Sequence, residues 1–179
     1  IGALIAALLL WPLLRKTLSF PRIYLYSLAG YSVAGLLDAC TSYGTHLWLP
    51  FSERKEAWNL IAVFDPLFTL LLLVPLALAL RRPQRHWAPV GLTLAAAYLG
   101  LGMLQHQRAE TALRDVVAAR GHPAPNAVIK PTMANQVLWR TLYVHEGRLQ
   151  SGAFHLGWKV RHYPGESAPL MDQAAVARV

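Results

Sequence analysis

Four long apolar runs, separated by short polar breaks, limit this chain to a small set of folds. The runs cover residues 1–14, 23–43, 58–80 and 87–104. Charged residues make up 15% of the sequence, whereas soluble domains contain about 25%. Because charges become frequent only after Gln105, the pattern predicts a membrane-embedded part followed by a small polar part.

The polar part predicts two further elements. Residues 105–121 carry alanines and valines at helical spacing and end at a glycine, which is typical of an amphipathic helix. Apolar and polar residues then alternate on either side of a His-Glu-Gly-Arg turn, which predicts a β-hairpin. We expect a loose tail after Tyr163. The predicted fold class is therefore mainly α, with a polytopic membrane bundle of about four apolar helices at 1–104, an amphipathic helix at 105–121, and a small extramembrane β-hairpin domain with its tail at 122–179.

The first apolar run is short for a membrane span. About 14 residues precede Arg15, and they cover roughly 21 Å at 1.5 Å per residue, less than the roughly 30 Å of a bilayer's hydrocarbon core. We therefore expect the sequence to begin partway into a helix.

Basic residues predict the orientation in the membrane. They cluster in the breaks after the first and third apolar runs, whereas the loop at 44–57 carries balanced charges. The positive-inside rule places the two basic breaks in the cytoplasm, so the 44–57 loop and everything after the fourth run face outward. We therefore predict a multi-pass protein of the bacterial inner membrane with a periplasmic C-terminal domain. The basic residues concerned are Arg15, Lys16, Arg22, Arg81, Arg82 and Arg85.

The net charge of +8 does not indicate nucleic-acid binding. The basic residues form no dense patch with interleaved aromatic residues, so we expect no nucleic-acid partner. The chain has one cysteine, Cys40, so an intrachain disulfide is excluded.

Two acidic residues lie inside apolar runs, where an unpaired charge is costly. Asp38 lies near the outer end of the second run, and Asp65 lies near the outer start of the third. Since these runs are antiparallel neighbours, we expect both carboxylates at a similar depth, one to two turns below the outer surface. Thr41, Ser42 and Thr45 follow Asp38 at helical spacing, so we predict a polar stripe facing the bundle interior or a wet cavity.

A metal site is one interpretation of these carboxylates. His46 and His106 come near the same surface, and carboxylates and imidazoles are ligands of zinc and manganese. The alternative roles are structural: Asp38 would bond neighbouring polar groups, and Asp65, which precedes Pro66, would cap the third helix. A zinc site typically needs three or four protein ligands, and the spacing nominates only Asp38.

A set of short motifs then carries a family resemblance. An aspartate is followed by Thr-x-Tyr-Gly-Thr, then by a Pro-Phe-Ser loop, then by Asp-Pro-Leu at a predicted helix start, and PTMANQVLWR comes later. This pattern resembles the YdjM-like family of bacterial inner-membrane proteins, which are described as metal-dependent hydrolases. The matching residues are Asp38, Thr41, Tyr43, Gly44, Thr45, Pro50, Phe51, Ser52, Asp65, Pro66 and Leu67.

The sequence departs from the family pattern in two ways. It lacks the family's N-terminal motifs with histidine and aspartate, and Ala34 stands where many members have a histidine four residues before the aspartate. We therefore expect that this chain alone does not hold a catalytic metal.

The resemblance implies an inner-membrane metal-dependent hydrolase, and the depth of the two carboxylates favours a lipid-borne ester or phosphoester as its substrate. Asp38 and Asp65 would be catalytic, and Asp38 would bind a divalent metal, zinc or manganese, that lowers the pKa of bound water. The supporting residues would be Thr41, Ser42, Tyr43, Thr45 and His46.

Two other functions remain open from the sequence. A non-catalytic membrane scaffold or assembly partner would use the β-hairpin domain as its functional surface, with Trp139, Tyr143 and Phe154 either as contacts or as the hairpin core. A transporter would place Asp38 and Asp65 in an ion path. We expect membrane lipid and membrane proteins as partners, and the sequence predicts no oligomeric state.

Overall fold

The chain folds into two compact units, Ile1–Trp58 and Asn59–Val179. The computed structural model describes residues 1–81, 86–122 and 127–170.

The first unit contains two packed helices. α1 (Gly2–Leu14) packs against α2 (Phe20–Cys40), and the rings of Trp11 and Phe20 meet edge-on with centroids 5.5 Å apart. Pro21 stands in the first turn of α2, where the missing N–H costs no helical hydrogen bond.

A closed loop follows α2. Thr45 and Glu56 exchange two backbone hydrogen bonds of 2.9 Å and form an antiparallel bridge. Gly44 has a φ of +66°, and a Cβ at this position would collide with the Glu56 carbonyl oxygen. Only glycine meets both conditions, so this residue permits the close approach that shuts the loop.

The second unit begins with two more helices. α3 (Pro66–Arg81) packs against α4 (Trp87–Ala119). Residues 59–65 are not helical, and the Leu60 carbonyl lies directly against Gly102 of α4. α4 has 33 residues, which give roughly 50 Å at 1.5 Å per residue, longer than a bilayer's hydrocarbon core.

A four-stranded antiparallel sheet completes the second unit. Its strands lie in the order of the chain and are β1 (Val128–Pro131), β2 (Leu138–His145), β3 (Arg148–Leu156) and β4 (Val160–Pro169). One face of the sheet packs on the C-terminal half of α4. The core between them includes Ala109, Leu113, Val117, Ile129, Trp139, Tyr143, Phe154 and Leu156.

The predicted polytopic bundle of about four apolar helices is wrong. Of the helices in the described ranges, only α2 and α4 are long and apolar enough to cross a membrane. α1 has 13 residues and α3 has 16, which give roughly 20 and 24 Å, short of the roughly 30 Å required. α3 is shorter than the third apolar run because Pro66 disfavours a helical backbone in the residue before it. The fold is a mixture of helices and a four-stranded sheet.

The polar part also contains more than the predicted hairpin. β2 and β3 form the expected hairpin, with its turn between His145 and Arg148. β1 and β4 widen it, and β4 continues to Pro169, where the sequence predicts a loose tail. Arg82 and Arg85, which contribute to the predicted orientation, lie outside the described residues.

Candidate functional site

Asp65 caps the N-terminus of α3 from a buried position. Its Oδ1 accepts a hydrogen bond of 3.0 Å from the N–H of Phe68, the third residue of the helix. Its Oδ2 accepts a hydrogen bond of 2.7 Å from the Tyr98 hydroxyl. Only 5% of Asp65 is exposed. The N-cap interpretation is therefore confirmed, and the same carboxylate joins α3 to α4.

Both oxygens of the Asp65 carboxylate are thus used in holding the fold. The rings of Phe68 and Tyr98 lie beside it with centroids 5.9 Å apart, so its surroundings are largely aromatic. A buried carboxylate with a helix N–H and a tyrosine hydroxyl as partners is a stable structural arrangement. The catalytic role of Asp65 stays a prediction.

Asp38 has a different environment in the first unit. It lies two residues before the end of α2, and its side chain is exposed. The Thr41 hydroxyl and N–H donate hydrogen bonds of 2.8 and 3.1 Å to the Asp38 carbonyl oxygen, and these bonds end the helix. The Asp38 carboxylate itself has no hydrogen-bond partner within the described ranges. Asp38 therefore gives α2, the candidate membrane span of this unit, an acidic side chain that is free to bind a ligand.

The predicted polar stripe stops at the end of α2. Thr41 has an extended backbone, with φ −86° and ψ 177°, so helical spacing does not carry on to Ser42 and Thr45. Thr45 instead pairs with Glu56 in the loop. Tyr43 is exposed, and its N–H donates to the Thr41 hydroxyl oxygen at 3.3 Å. The stripe beyond Asp38 is therefore wrong, because Thr41 bonds the helix end rather than extending it.

His46 is oriented by a backbone group. Its Nδ1 lies 2.8 Å from the Glu53 carbonyl oxygen across the closed loop, so Nδ1 carries the proton and Nε2 is left as an acceptor. Histidines that bind metals are typically held in this way by a carbonyl or carboxylate. His106 lies in the other unit, where its ring meets Trp139 edge-on at 5.6 Å.

The described residues do not complete a metal centre. No group of three or more His, Cys, Asp and Glu side chains suited to a metal occurs among residues 1–81, 86–122 and 127–170. The first unit contributes the Asp38 carboxylate and the His46 Nε2, whereas a zinc site typically takes three or four protein ligands. This donor set does not fit a catalytic zinc or manganese ion, and the cofactor stays a prediction.

A buried amide network in the second unit escapes the sequence patterns. Gln105 Nε2 donates to the carbonyl oxygens of Gln136 at 3.1 Å and Leu156 at 2.9 Å. Gln136 Nε2 donates at 3.0 Å to the carbonyl oxygen of Leu60. Both glutamines are nearly fully buried. The network joins the sheet to α4 at the point where the apolar part of α4 ends. In the sequence, this network is indicated only by Gln105, the first polar residue after that apolar part.

The face of the sheet that packs on α4 contains the aromatic residues of the hairpin. Trp139, Tyr143 and Phe154 are 0%, 4% and 1% exposed. Their interpretation as the hairpin core is therefore confirmed, and they do not form an exposed contact surface.

The opposite face of the sheet is open. Because side chains alternate along a strand, the neighbours of the buried aromatic residues point away from α4. Val128 is paired with Leu142, and Val144 with Leu149, on this face. Val128 and Val144 are 40% and 43% exposed. We call these four residues the distal patch, since they lie toward the C-terminal end of α4.

A cluster of titratable groups borders the C-terminal end of α4. The Tyr143 hydroxyl lies 3.3 Å from Arg120 Nη1 and 3.2 Å from His122 Nδ1. The rings of His122 and His145 stack with centroids 3.8 Å apart. Burial lowers the pKa of His122, the positive charges of His145 and Arg120 lower it further, and Glu146 partly opposes this shift. The two stacked imidazoles thus resist carrying charge together.

A groove of about 620 Å³ runs along α4 beside β3 and β4. Its polar lining includes Gln107, Arg108 and Asp115 from the helix and His162 from the sheet, above an apolar floor that includes Phe154. None of the residues predicted to be catalytic, metal-binding or supporting lies in this groove.

A family model described as YdjM inner membrane protein matches residues 1–109. Comparisons with curated proteins and with solved structures find no match. The matched range covers the first unit and the second unit as far as the first contacts of α4 with the sheet.

Proposed function

Because the chain belongs to the YdjM family of inner membrane proteins, we propose that it is a non-catalytic membrane scaffold. In this function the candidate spans α2 and α4 hold the chain in the inner membrane. α4 continues beyond its apolar part into the core of the sheet. The sheet is thereby rigidly joined to a membrane helix, which is the property that a membrane-bound docking platform requires.

The structural role of Asp65 is the main observation that supports this proposal. A catalytic carboxylate needs an oxygen that can reach a metal, a water or a substrate. Both oxygens of Asp65 accept hydrogen bonds, from the Phe68 N–H and the Tyr98 hydroxyl, and the side chain is buried. This structural use of Asp65 in helix packing is what supports a scaffold.

The distal patch supplies the docking surface. Its four apolar side chains, from Val128, Leu142, Val144 and Leu149, stand together on three adjacent strands of the open face. Apolar residues grouped on an open face favour a protein contact over solvent. We assign the patch to the apolar surface of another inner-membrane protein, since the scaffold and its partner then share one membrane.

Photo-crosslinking in cells tests whether a partner binds the open face of the sheet. A benzophenone amino acid at Val144 is expected to give one adduct of defined mass, identified by mass spectrometry as a membrane protein. The same group at Arg114, an exposed residue of α4, is the control and should not give that adduct. A ladder of unrelated adducts at Val144, or no adduct from either position, would contradict the scaffold.

The orientation forms a second part of the proposal. Arg15, Lys16 and Arg22 precede α2, and Arg81 ends α3. Under the positive-inside rule these residues favour the cytoplasmic side. We infer that the chain passes the membrane more than once and that its sheet lies in the periplasm, with the non-helical residues 59–65 and α3 together returning the chain to the cytoplasmic side between α2 and α4.

A metal-dependent hydrolase is the second candidate, and two observations in the first unit favour it. The Asp38 carboxylate is exposed and has no described partner. His46 is oriented through the Glu53 carbonyl, as metal-binding histidines typically are. In this function Asp38 and His46 would bind a divalent metal, with Thr41, Ser42, Tyr43 and Thr45 around them, and the substrate would be a lipid-borne ester or phosphoester.

Elemental analysis of the purified protein separates the two candidates. The hydrolase requires about one zinc or manganese ion per chain, lost in Asp38→Asn and in His46→Gln. Asp115→Asn, which changes an exposed acid of α4, is the control and should keep the metal. The scaffold predicts no stoichiometric metal in the parent protein or in any of the three variants.

A further inference from the structure

The turn between β3 and β4 exposes a tryptophan completely. β3 ends at Leu156 and β4 begins at Val160, with Gly157, Trp158 and Lys159 between them. Trp158 is 105% exposed, so its indole ring contacts little of the described protein. A fully exposed tryptophan is unusual on a water-facing surface, because its apolar ring and single N–H favour a boundary between apolar and polar surroundings.

Two hydrogen bonds fix this turn to α4, and a third within α4 holds their donors together. Arg108 Nη2 donates at 2.7 Å to the Gly157 carbonyl oxygen, and Gln105 Nε2 donates at 2.9 Å to the Leu156 carbonyl oxygen. Arg108 Nη1 also donates at 2.8 Å to Gln105 Oε1. The turn therefore lies at the level of Gln105 and Arg108 along the helix.

That level is the polar end of the candidate membrane span. Residues 87–104 of α4 contain no charged side chain, and Gln105, His106, Gln107 and Arg108 follow them. These 18 residues give roughly 27 Å at 1.5 Å per residue, close to the thickness of a hydrocarbon core. With residues 87–104 in the hydrocarbon, Gln105 lies among the lipid headgroups, and the turn lies there too.

The charges near the turn are basic. Lys159 is adjacent to Trp158, and Arg161 pairs with His155 across β3 and β4. Arg140 and Lys130 pair across β1 and β2 on the same open face. Within the described ranges, none of the four Lys and Arg side chains forms an ion pair with a carboxylate. A tryptophan flanked by unpaired basic side chains is complementary to an anionic lipid surface.

We propose that the 157–159 turn is an interfacial anchor, in which the Trp158 ring inserts among the headgroups of an anionic phospholipid leaflet and Lys159 and Arg161 contact the lipid phosphates. The sheet is then attached to the membrane at two places, through α4 and through this turn. This inference goes beyond the scaffold function and does not depend on it, because a hydrolase of the same fold would carry the same turn.

Fluorescence in nanodiscs tests the anchor with the full chain. The sole cysteine is changed in Cys40→Ser, and an environment-sensitive dye is attached at Trp158→Cys in nanodiscs that contain phosphatidylglycerol. The matched control is Val144→Cys, which lies on the same sheet at the end away from the turn. We expect iodide to quench the dye at position 158 at least about threefold less than the dye at position 144. Equal quenching at both positions would overturn the proposal.

Two further arms test the charge complementarity and guard against a folding defect. Exchanging phosphatidylglycerol for phosphatidylcholine, or adding Lys159→Gln and Arg161→Gln, should increase iodide quenching at position 158 and leave position 144 unchanged. In the chain without a dye, brominated phosphatidylglycerol should quench more tryptophan fluorescence in the parent protein than in Trp158→Phe. The same loss of fluorescence in both proteins would contradict insertion of this ring.

Discussion

The hydroxyl of Tyr98 donates a 2.7 Å hydrogen bond to Oδ2 of Asp65, while the other oxygen of that carboxylate caps α3. One buried acid therefore fixes the start of α3 and its contact with α4. Since 33 positions separate the two residues, this bond is a tertiary contact rather than a local one.

Removing this acid should destabilise the second unit. Asp65→Ala removes the cap, worth about 1 kcal/mol, and leaves the Tyr98 hydroxyl buried without its acceptor, which costs about 1–3 kcal/mol. We expect a loss of about 2–4 kcal/mol for Asp65→Ala and about 1 kcal/mol for Tyr98→Phe. Chemical unfolding in detergent measures both values. Tyr26→Phe, at an exposed position, is the control, and an Asp65→Ala protein as stable as that control would refute the structural role.

Close packing around Gly102 gives a second prediction. A Cβ at Gly102 would collide with the Leu60 carbonyl oxygen, whereas a Cβ at Gly100 meets no atom within 4 Å. Gly102→Ala should therefore cost about 1–3 kcal/mol through overpacking. Gly100→Ala lies in the same helix and should be neutral or slightly stabilising, because alanine has the higher helix propensity. Melting temperatures of the two variants decide the matter, and an equal effect of both would contradict the packing seen here.

Local sequence signals account for part of this structure. The Asp65–Pro66 pair predicted a helix cap, and the cap is present because both residues act within one turn. Alternation across the His145–Arg148 turn predicted the hairpin for the same reason. The family resemblance, carried by motifs around Asp38 and Asp65, was also correct.

Tertiary contacts account for what the sequence did not reveal. Hydropathy extended the third helix back to residue 58, yet residues 59–65 are not helical, and the Leu60 carbonyl instead accepts a hydrogen bond from Gln136, 76 positions away. The polar stripe after Asp38 ended because the Thr41 hydroxyl bonds the helix terminus. Strand β4 lies in a stretch with Pro164 and Gly165, which locally disfavour a strand, and pairing with β3 overrides that preference.

The stacked His122 and His145 should make the stability of the second unit depend on pH. The pKa of His122 is lowered in the folded chain, and burial and Arg120 lower the pKa of His162. The folded state therefore binds fewer protons than the unfolded chain, whose histidine pKa is about 6.5. Stability is fully present above about pH 6.5 and is lost as the pH falls toward the lowered pKa values.

Unfolding midpoints between about pH 5 and 8 measure this dependence. His122→Asn should make the curve flatter, because it removes one group that takes up a proton on unfolding. Thr111→Ser, at an exposed position of α4, serves as the comparison and should leave the slope unchanged, because it removes no titratable group. Identical slopes in the parent protein and His122→Asn would show that the stack has no such effect.

The proposed orientation predicts which side of the membrane each part faces. The only native cysteine, Cys40, is buried. We therefore expect Cys40 to react little, so that labelling of one introduced cysteine can be measured. In intact spheroplasts, Arg114→Cys, at an exposed position of α4 outside the distal patch, should react with a membrane-impermeant maleimide. Lys16→Cys, in the basic break before α2, should react only after the membrane is disrupted. The reverse pattern would place the sheet in the cytoplasm.

The mass of the intact protein, released from the membrane in a native lipid disc, tests the central claim most directly. The scaffold predicts that the parent chain carries another membrane protein in a fixed ratio, that Val144→Glu on the distal patch loses this partner, and that neither chain carries a metal ion. A chain that travels alone with about one zinc or manganese ion, lost in Asp38→Asn and kept in Val144→Glu, would contradict the scaffold and establish the hydrolase in its place.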